Sequence, residues 1–519
     1  MIDMAITQAD IDLMKSRNKQ IQIKVSLLDE QYDEVENLSG RIKAISYDIS
    51  AESDIRRTCS LTLLVSKDKI NTDFEKAWIN RMVELHCGVY SRVQKDYVWY
   101  SLGRMLMING NTTYAATVQE VKLSLVDMMA TLTGDRGSQM GTDMLIPYDS
   151  NIHDAIVAIV ATFSPYTRNN VAQFEDVVPY DLTTNLGSYP YDALKQILDL
   201  FPYYEMFYDN NGIFTVQMIP TKTSDPVDIG TSVIDDLLIS ENRSVNFSDV
   251  KNTTEIWGKT LDAAYTSTNT VNEQVNIAAE GEADNNVQCY TLTIDGYENM
   301  AVNDTFSFIP PNDNVANQYI RINSLAAYPL YNENGAGERT PITASEMKAD
   351  IPYVVKYVDD KFVLQGEAVI HVIVQEIDQM PSAKMQSDYK SENNCRDVQW
   401  IVNPDSPFAC TLNSTGTMIK REIRQVLSGG EYDDIYTTQL AYERASYENW
   451  LKTRLQDTVD LEMVLIPWMD VNDKIQYTSP TLGTVQTVLV QSISYDFMRW
   501  TMNVKCVKFY PYYPFWENA

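Results

Sequence analysis

The chain has 519 residues, and its 41 Lys and Arg against 71 Asp and Glu give a formal net charge of -30. At about 100–200 residues per domain, this length predicts three or four domains with sizeable cores. The excess of acid argues against a protein that grips nucleic-acid phosphates, although nucleic acid can still slide past an acidic surface. Hydrophobic residues at 44% and charged residues at 22% are typical of a folded protein.

Other features of the composition exclude further classes. No run approaches about 18 apolar residues, so we expect no membrane span, and the first residues lack the pattern of a secretory signal. The 32 Tyr favour strands and interfaces. The six cysteines form no CxxC pair, which predicts reduced, mostly buried thiols of a cytosolic product. They are Cys59, Cys87, Cys289, Cys395, Cys410 and Cys506.

The first third of the chain predicts antiparallel strands. Apolar residues alternate with polar ones over 21–27, 45–49 and 59–65, which is the period of a half-buried strand. Two further strands are predicted near 98–108 and from residue 116 onward.

The period changes to that of a helix after Ser150, which we predict as the cap of a helix over 152–163. A second helix is predicted over 191–201, with Pro190 in its first turn. A hairpin with its turn at 209–212 follows, so this part forms a small α+β unit between strand-rich segments.

Strands return from about residue 235, and one clear hairpin turns at Asp359-Asp360. The segments 261–286 and 378–394 are polar and are predicted to be long loops or linkers. A third helix is predicted over 439–457.

Two segments of the later chain resemble one another. Ala301–Phe308 and Asp470–Tyr477 share an x-Asn-Asp-x turn before a strand, and each is followed by a strand that carries Ser324 or Ser492. One interpretation is a common turn type; the other is a duplicated β element, or two strand pairs of one barrel.

The sequence offers little for chemistry. His86, His153 and His371 are each interpreted as structural, because no HExxH motif, CxxC pair or His/Cys cluster accompanies them. No GxSxG elbow, P-loop or GxGxxG fingerprint is present, and Gly335-Ala336-Gly337 lies in a polar loop. We therefore predict no catalytic, cofactor-binding or metal site, and no enzyme activity.

The aromatic run YPYYPFW at 510–516 has two interpretations. It is either a docking tail for a partner or a last strand that its aromatic side chains fix to the core.

Several segments resemble the gp27-like baseplate hub (tail hub) proteins of tailed bacteriophages, in the type found in phages and prophages of Gram-positive hosts. They are IQIKVSLL and the following strands with Asp54-Ile55-Arg56-Arg57-Thr58, Phe247–Asn252 leading to Glu255-Ile256-Trp257-Gly258-Lys259, NPDSPF with the helix after it, VLIPWMDVNDKIQYT, and VQSISYDFMRWTMNVKC. The resemblance is best over 20–65, 245–260 and 400–505, and the order of the motifs carries it.

This resemblance implies a mainly β fold with α+β insertions. Two tube-type, β-barrel-like domains form a ring, with smaller domains at the periphery. The implied division of the chain is an N-terminal helix or arm (1–16), a first tube domain (17–135), an α+β insertion (136–235), the first part of the second tube domain (236–380), a peripheral segment (381–438), and a helix with C-terminal strands that complete the second tube domain (439–519).

The resemblance also implies a function without chemistry and without cofactors. Three copies would form a homotrimeric ring in the virion, assembled in the host cytoplasm. The ring would continue the tail tube, adapt sixfold to threefold symmetry, and let DNA pass without binding. Its implied partners are a tail tube or distal tail protein above and a spike or fibre protein below. Three chains carry 3 × -30 = -90 charges, which suits a channel that must repel phosphates.

Other hypotheses remain open. The chain is alternatively a distal tail protein, which predicts a sixfold ring, a receptor-binding protein that contacts carbohydrate, or the hub of a phage-tail-like injection particle. A tail-associated glycosidase or peptidase is the enzymatic alternative. We expect no separate lytic domain, because few residues follow Lys508.

Overall fold

A computed structural model describes most of the chain. The described residues are 6–16, 19–29, 31–64, 81–114, 119–174, 177–178, 181–201, 203–277, 285–333, 337–380, 382, 398–403, 406, 408–411, 421–454 and 457–512. The fold is mainly β, as predicted, and its larger sheets have twelve, nine and four strands.

The first part of the chain is one helix followed by antiparallel strands. Thr7 caps the helix by accepting from the Asp10 backbone N–H. The elements are α1 (Gln8–Lys15), β1 (Ile21–Leu28), β2 (Glu34–Asn37), β3 (Ile42–Ser50), β4 (Arg57–Leu64), β5 (Met82–Ser91), β6 (Asp96–Tyr114) and β7 (Gln119–Val126).

The predicted α+β unit follows, and both of its amphipathic helices are confirmed. The cap of the first differs from the prediction: Asn151, not Ser150, accepts from the Asp154 N–H at 3.0 Å. Pro190 begins the second. The elements are α2 (Ala130–Thr133), β8 (Met144–Ile146), α3 (Ile152–Phe163), β9 (Asn169–Val171), β10 (Leu182–Thr184), α4 (Pro190–Asp199), β11 (Tyr204–Tyr208), β12 (Phe214–Met218) and α5 (Thr231–Leu237).

The middle of the chain begins with one strand of the twelve-stranded sheet and then forms two separate sheets. That strand is β13 (Leu238–Val245). The next elements are β14 (Thr253–Thr260), β15 (Tyr265–Thr266), β16 (Asn269–Ile277), β17 (Asn285–Thr293), β18 (Thr305–Phe308), β19 (Tyr319–Ile322), β20 (Ala327–Glu333), β21 (Arg339–Pro341), β22 (Tyr353–Val358), β23 (Lys361–Glu367), β24 (Val369–Ile377), β25 (Val398–Val402), β26 (Arg424–Ser428) and α6 (Thr438–Arg454).

Strands β15 to β23 form the nine-stranded sheet around a core of their own. The hairpin of β22 and β23 turns at Asp359 and Asp360, both in the left-handed region with φ of 50° and 58°. The four-stranded sheet has the order β25-β24-β14-β26 and packs against α6.

The predicted loop over 261–286 is corrected by this arrangement. Residues 269–277 form β16, which pairs with β17 along nine positions. Its polar composition misled the prediction, because an edge strand with little buried surface needs few apolar residues. Most of the other predicted loop, 378–394, lies outside the described residues.

The last strands of the chain join the sheet that the first strands form. They are β27 (Asp457–Val464), β28 (Lys474–Thr478), β29 (Val485–Asp496) and β30 (Thr501–Lys508). All pairs of the twelve-stranded sheet are antiparallel, in the order β13-β27-β30-β29-β3-β4-β7-β6-β5-β1-β2, with β28 beside β29. The two ends of the chain therefore meet where β29 pairs with β3.

A single core lies under both ends of the chain. It contains Val25 and Leu61 from the early strands and Leu461 and Val504 from the late ones, all fully buried. Helices α1 and α5 cover it, with Met14 and Ile234 also fully buried. On β1, β5 and β6 the opposite face is covered as well, since Leu28, Met82 and Leu106 pack into the core of the α+β unit.

The strand pairing differs in one respect from the division implied by the resemblance. Of the segment 236–380, only β13 joins the twelve-stranded sheet, whereas residues 265–367 form the nine-stranded sheet. The sequence did not indicate this difference, because the alternation of apolar and polar residues predicts a strand but not its distant partner. The domain boundaries themselves stay a prediction.

The internal similarity lies in the turn before the strand. In each copy an Asn has a left-handed φ, 74° at Asn303 and 64° at Asn472. The Asp that follows accepts from the backbone N–H three residues earlier. The strands then diverge: β18 pairs with β22 in the nine-stranded sheet, while β28 pairs with β29 in the twelve-stranded sheet. The common-turn interpretation fits this geometry.

Candidate functional site

A buried ionic junction joins three distant segments of the chain. Arg56 and Arg57 at the start of β4 meet Glu205 of β11 and the turn before β28, which carries Asp470 and Asn472. Arg56 pairs with Glu205, and its guanidinium lies 3.6 Å from the centroid of the Phe207 ring. The junction thus connects the early strands, the α+β unit and the late strands.

Glu205 is satisfied from several sides. Besides the ion pair, it accepts from Asn472 Nδ2 at 2.6 Å and from Gln217 Nε2 at 2.8 Å. Because a buried carboxylate is costly unless it is paired and hydrogen-bonded, these contacts fix β11 against the turn before β28.

Arg57 has partners on several sides, although its Nε is buried without a hydrogen-bond partner. It pairs with Asp470 and donates from Nη1 to the Tyr208 carbonyl at 2.7 Å. Its backbone N–H donates to Asp127 at 2.9 Å. Burial disfavours its charge, but the fields of Asp470, Tyr47 and Asp127 outweigh burial and raise its pKa.

A second junction connects α6 to the α+β unit. Arg444 lies within 3.3 Å of carboxylate oxygens of Asp199, Glu431 and Glu448. Burial raises the pKa of Asp199 and of Glu448, and Arg444 opposes both shifts. Nothing in the local sequence marks these residues, since their pairing is set only by how the elements pack.

The resemblance segments also hold the four-stranded sheet together. Asn252 donates from Nδ2 to the carbonyls of Phe408 at 2.7 Å and Arg421 at 2.8 Å. Glu255 accepts from His371, Trp257 and Arg424 at 2.8–2.9 Å. These polar contacts join β14 to β24, to β26 and to the segments at Phe408 and Arg421.

The three histidines do not come together. His86 lies on β5 with Nδ1 at 3.8 Å from Glu84, and burial lowers its pKa. His153 on α3 lies 3.2 Å from the Ala172 carbonyl. His371 stacks on the Trp257 ring at a centroid distance of 3.6 Å. Within the described ranges, no group of three or more His, Cys, Asp or Glu could hold a metal ion.

The described cysteines are free and buried. Burial raises the thiol pKa of each of them, which suppresses the reactive thiolate. They are Cys59, Cys87, Cys289, Cys410 and Cys506. Cys395 lies outside the described residues, as does most of the Gly335-Ala336-Gly337 segment.

The described part of the aromatic run packs onto the fold. Tyr512 lies 5.7 Å from the Trp450 ring, and its backbone N–H donates to Thr221. The Tyr510 carbonyl accepts from Trp450 Nε1 at 2.9 Å. Residues 510–512 therefore anchor to α6, whereas residues 513–516 lie outside the described part of the chain. No helix among the described residues is long and apolar enough to cross a membrane.

Comparisons with known proteins give the following similarities. A family described as a domain of unknown function (DUF5048) matches residues 405–513. No curated protein matches. Among solved structures, a tail protein from Neisseria meningitidis MC58 has a TM-score of 0.47 at 8% identity, covering 95% of this chain and 98% of that one.

Two further solved structures are similar over most of their length. The 43 kDa tail protein of prophage MuSo2 from Shewanella oneidensis has a TM-score of 0.44 at 10% identity, covering 93% of this chain and 98% of that one. Prophage tail protein gp18 from Listeria monocytogenes EGD-e has a TM-score of 0.39 at 7% identity, covering 93% and 94%. All three are tail proteins by name; the hub subtype stays a prediction.

Proposed function

We propose that the chain is a structural hub of a phage tail tip or baseplate. Three copies form a ring that continues the tail tube, adapts its sixfold symmetry to a threefold tip, and lets DNA pass. The role is structural rather than catalytic. The ring belongs to the virion tail and assembles in the host cytoplasm, with a tube or distal tail protein above it and a spike or fibre protein below.

The observation that carries this proposal is the twelve-stranded sheet. It combines two strand sets, β1 to β7 and β13 with β27 to β30, over one core. Each chain thus offers two strand sets, so three chains offer six. A threefold assembly of such chains meets a sixfold tube without a change of subunit number.

The ends of the sheet support an assembly. Among the described strands, β13 pairs only with β27 and β2 only with β1. Exposed apolar side chains lie on or near these edges: Val35, Ile239, Val245 and Phe247 are 50–63% exposed. Open edges with apolar side chains promote aggregation unless another surface covers them, and neighbouring copies in a ring would do so.

The test is the mass and symmetry of the purified protein, by light scattering and negative-stain class averages. We expect about 177 kDa (3 × 59.1 kDa) and a threefold ring with a central hole. A sixfold ring would instead favour a distal tail protein. If the chain stays a monomer even when co-expressed with the tail proteins encoded beside it, the proposal fails.

A further inference from the structure

The α+β unit carries a groove that no described part of the chain fills. Its volume is about 530 Å³, which lies within the range of about 300–1,000 Å³ that is typical of binding clefts. One wall is β8 with the residues that follow it, and the other wall is one side of α3. The apolar lining includes Met144, Leu145 and Pro147 on the first wall and Ala155, Ala158 and Phe163 on the second.

Helix α3 has one buried side and one uncovered side. Ile152, Ile156 and Val160 are at most 1% exposed and pack into the core of the α+β unit. The groove side carries smaller residues, and Ala158 and Thr162 are exposed there. Because the side chain of alanine ends at its Cβ, this side of the helix leaves room for another chain.

The other wall is the free edge of a strand. Among the described strands, β8 pairs with β10 alone. Met144, Leu145 and Ile146 all line the groove, although consecutive side chains of a strand point to opposite sides. A surface that touches all three therefore runs along the edge of the strand, where backbone N–H and C=O groups can pair with a further strand.

This edge is suited to a short pairing. The segment Met144–Ile146 contains neither Lys nor Pro, two residues that commonly protect an edge from pairing. Leu145 is 48% exposed, which is unusual for a large apolar side chain beside a groove unless another surface covers it. Pro147 ends the strand, so the available edge is limited to these three residues.

The walls of the groove carry negative charge only. Asp154 is the charged side chain of the lining, and residues 137–167 contain three Asp and no Lys or Arg. Asp143, Asp149 and Asp154 are all exposed. Complementary charge favours one partner over another, so a basic segment is favoured over an acidic one. A second copy of this chain, with a net charge of -30, is disfavoured.

We propose that this groove binds an extended, basic polypeptide segment of another protein by strand addition. The segment pairs with β8, places apolar side chains at alternate positions between β8 and α3, and carries Lys or Arg beside Asp154. In this mode of recognition the main-chain hydrogen bonds give affinity, and pockets for alternate side chains give specificity. The groove goes beyond the proposed function, because the twelve-stranded sheet on which the hub rests contains neither β8 nor β10.

The test is the binding of a synthetic peptide to the full chain, followed by fluorescence anisotropy. The probe is a short fluorescein-labelled peptide of alternating Lys and Val. One comparison peptide has Glu in place of Lys, and another is N-methylated at every second residue, which removes the donors that a strand needs. The variant Ala158→Arg fills the groove and adds a positive charge.

The matched control is Ala161→Arg, at an exposed position of α3 outside the lining of the groove. Both variants change the net charge equally, so they alter the general attraction of a basic peptide to an acidic protein to the same extent. We expect Ala158→Arg to weaken binding of the Lys/Val peptide by about tenfold or more, and Ala161→Arg to change it by less than about twofold.

The comparison peptides separate charge from strand pairing. We expect both to bind the wild-type chain about tenfold more weakly than the Lys/Val peptide, or weaker still. Hydrogen exchange locates the contact, and we expect slower exchange over residues 144–146 when the Lys/Val peptide is bound.

Equal binding of the Lys/Val peptide by the wild type and by Ala158→Arg would overturn the proposed site, and equal binding of the plain and N-methylated peptides would overturn strand addition. A lower mass of the Ala158→Arg chain in light scattering would also overturn it, because the occupant would then be a second copy. The symmetry of the ring is measured separately, so the hub and the groove can fail independently.

Discussion

At the scale of single residues, charges buried between elements are the positions where losing one partner costs most. Arg57 illustrates this, because its partners come from the turn before β28, from β11 and from the segment after β7. A buried charge that loses its partner keeps its desolvation cost. Such residues are therefore more sensitive to substitution than the many exposed ion pairs of the surface.

We expect Arg57→Ala to lower the free energy of unfolding by about 3–5 kcal/mol, because it leaves Asp470 and the Tyr208 carbonyl without their donor. Urea unfolding measures the loss. The matched control is Arg499→Ala, whose side chain is 76% exposed beside Asp496 and whose loss is expected to be within about 0.5 kcal/mol. Equal midpoints for the two variants would contradict the importance of the junction.

A second residue-scale prediction concerns pH. Burial raises the pKa of Glu376 to about 7, against hydrogen bonds from Ser406, Asn403 and Thr453 that lower it. The folded state then holds a proton that the unfolded state loses, so this group destabilises the fold increasingly as pH rises from about 4.5 to 7.

Glu376→Gln keeps the shape of the protonated acid and removes this dependence. We expect the variant to match the wild type at pH 5 and to exceed its stability at pH 8, by up to about 3 kcal/mol at about 1.4 kcal/mol per pKa unit. Unfolding by urea at the two pH values decides the matter; an identical difference at both would show that Glu376 does not titrate in this way.

At the scale of elements, local sequence patterns predicted the helices and hairpins that depend on residues close together in the sequence. The helices around Ile156 and Leu194 and the hairpin at Asp359 were predictable from spacing and turn chemistry. The partner of β3 was not, because Asp48 and Ser494 meet only through the packing of the whole chain. For the same reason the sequence marked Arg56 and Arg57 as a motif but not their contact with Glu205.

The glycine of β14 tests the packing of one element. A Cβ on Gly258 would lie 2.8 Å from Ile370 side-chain atoms and from the Ile435 carbonyl oxygen. We expect Gly258→Ala to destabilise the protein by about 1–3 kcal/mol, since backbone must move to make room.

The control is Gly40→Ala, where a Cβ would meet nothing within 4 Å. Thermal unfolding compares the two variants, and hydrogen exchange should locate the loss in β14 and β24. A neutral Gly258→Ala would mean that the four-stranded sheet relaxes more easily than its geometry indicates.

At the scale of the whole molecule, the nine-stranded sheet is an addition, and the twelve-stranded sheet contains none of its strands. Its ends are adjacent: the Leu261 N–H donates to the Ala368 carbonyl at 2.8 Å. Its core contains none of the side chains that build the core of the twelve-stranded sheet. The unit therefore has a core separate from the one that joins the two ends of the chain.

We expect a variant with residues 263–365 replaced by a short Gly-Ser linker to fold and to keep the oligomeric state of the full chain. Light scattering gives the mass, and circular dichroism confirms the remaining strands. As a control, the same linker in place of residues 458–463 removes most of β27 from the middle of the twelve-stranded sheet and should abolish folding. Aggregation of the first variant alone would show that the unit supports the frame.

The pairing of β29 with β3 also constrains how the protein is made. Ser494 and Asp48 are hydrogen-bonded across 446 residues of sequence. A ribosome synthesises the chain from its N-terminus, so β3 has an uncovered side until almost the last strand has emerged. The nine-stranded sheet pairs strands within 265–367 alone, so it can fold before the last strands are made. During that interval the growing chain carries an unfinished edge, and chaperone binding would be most valuable there.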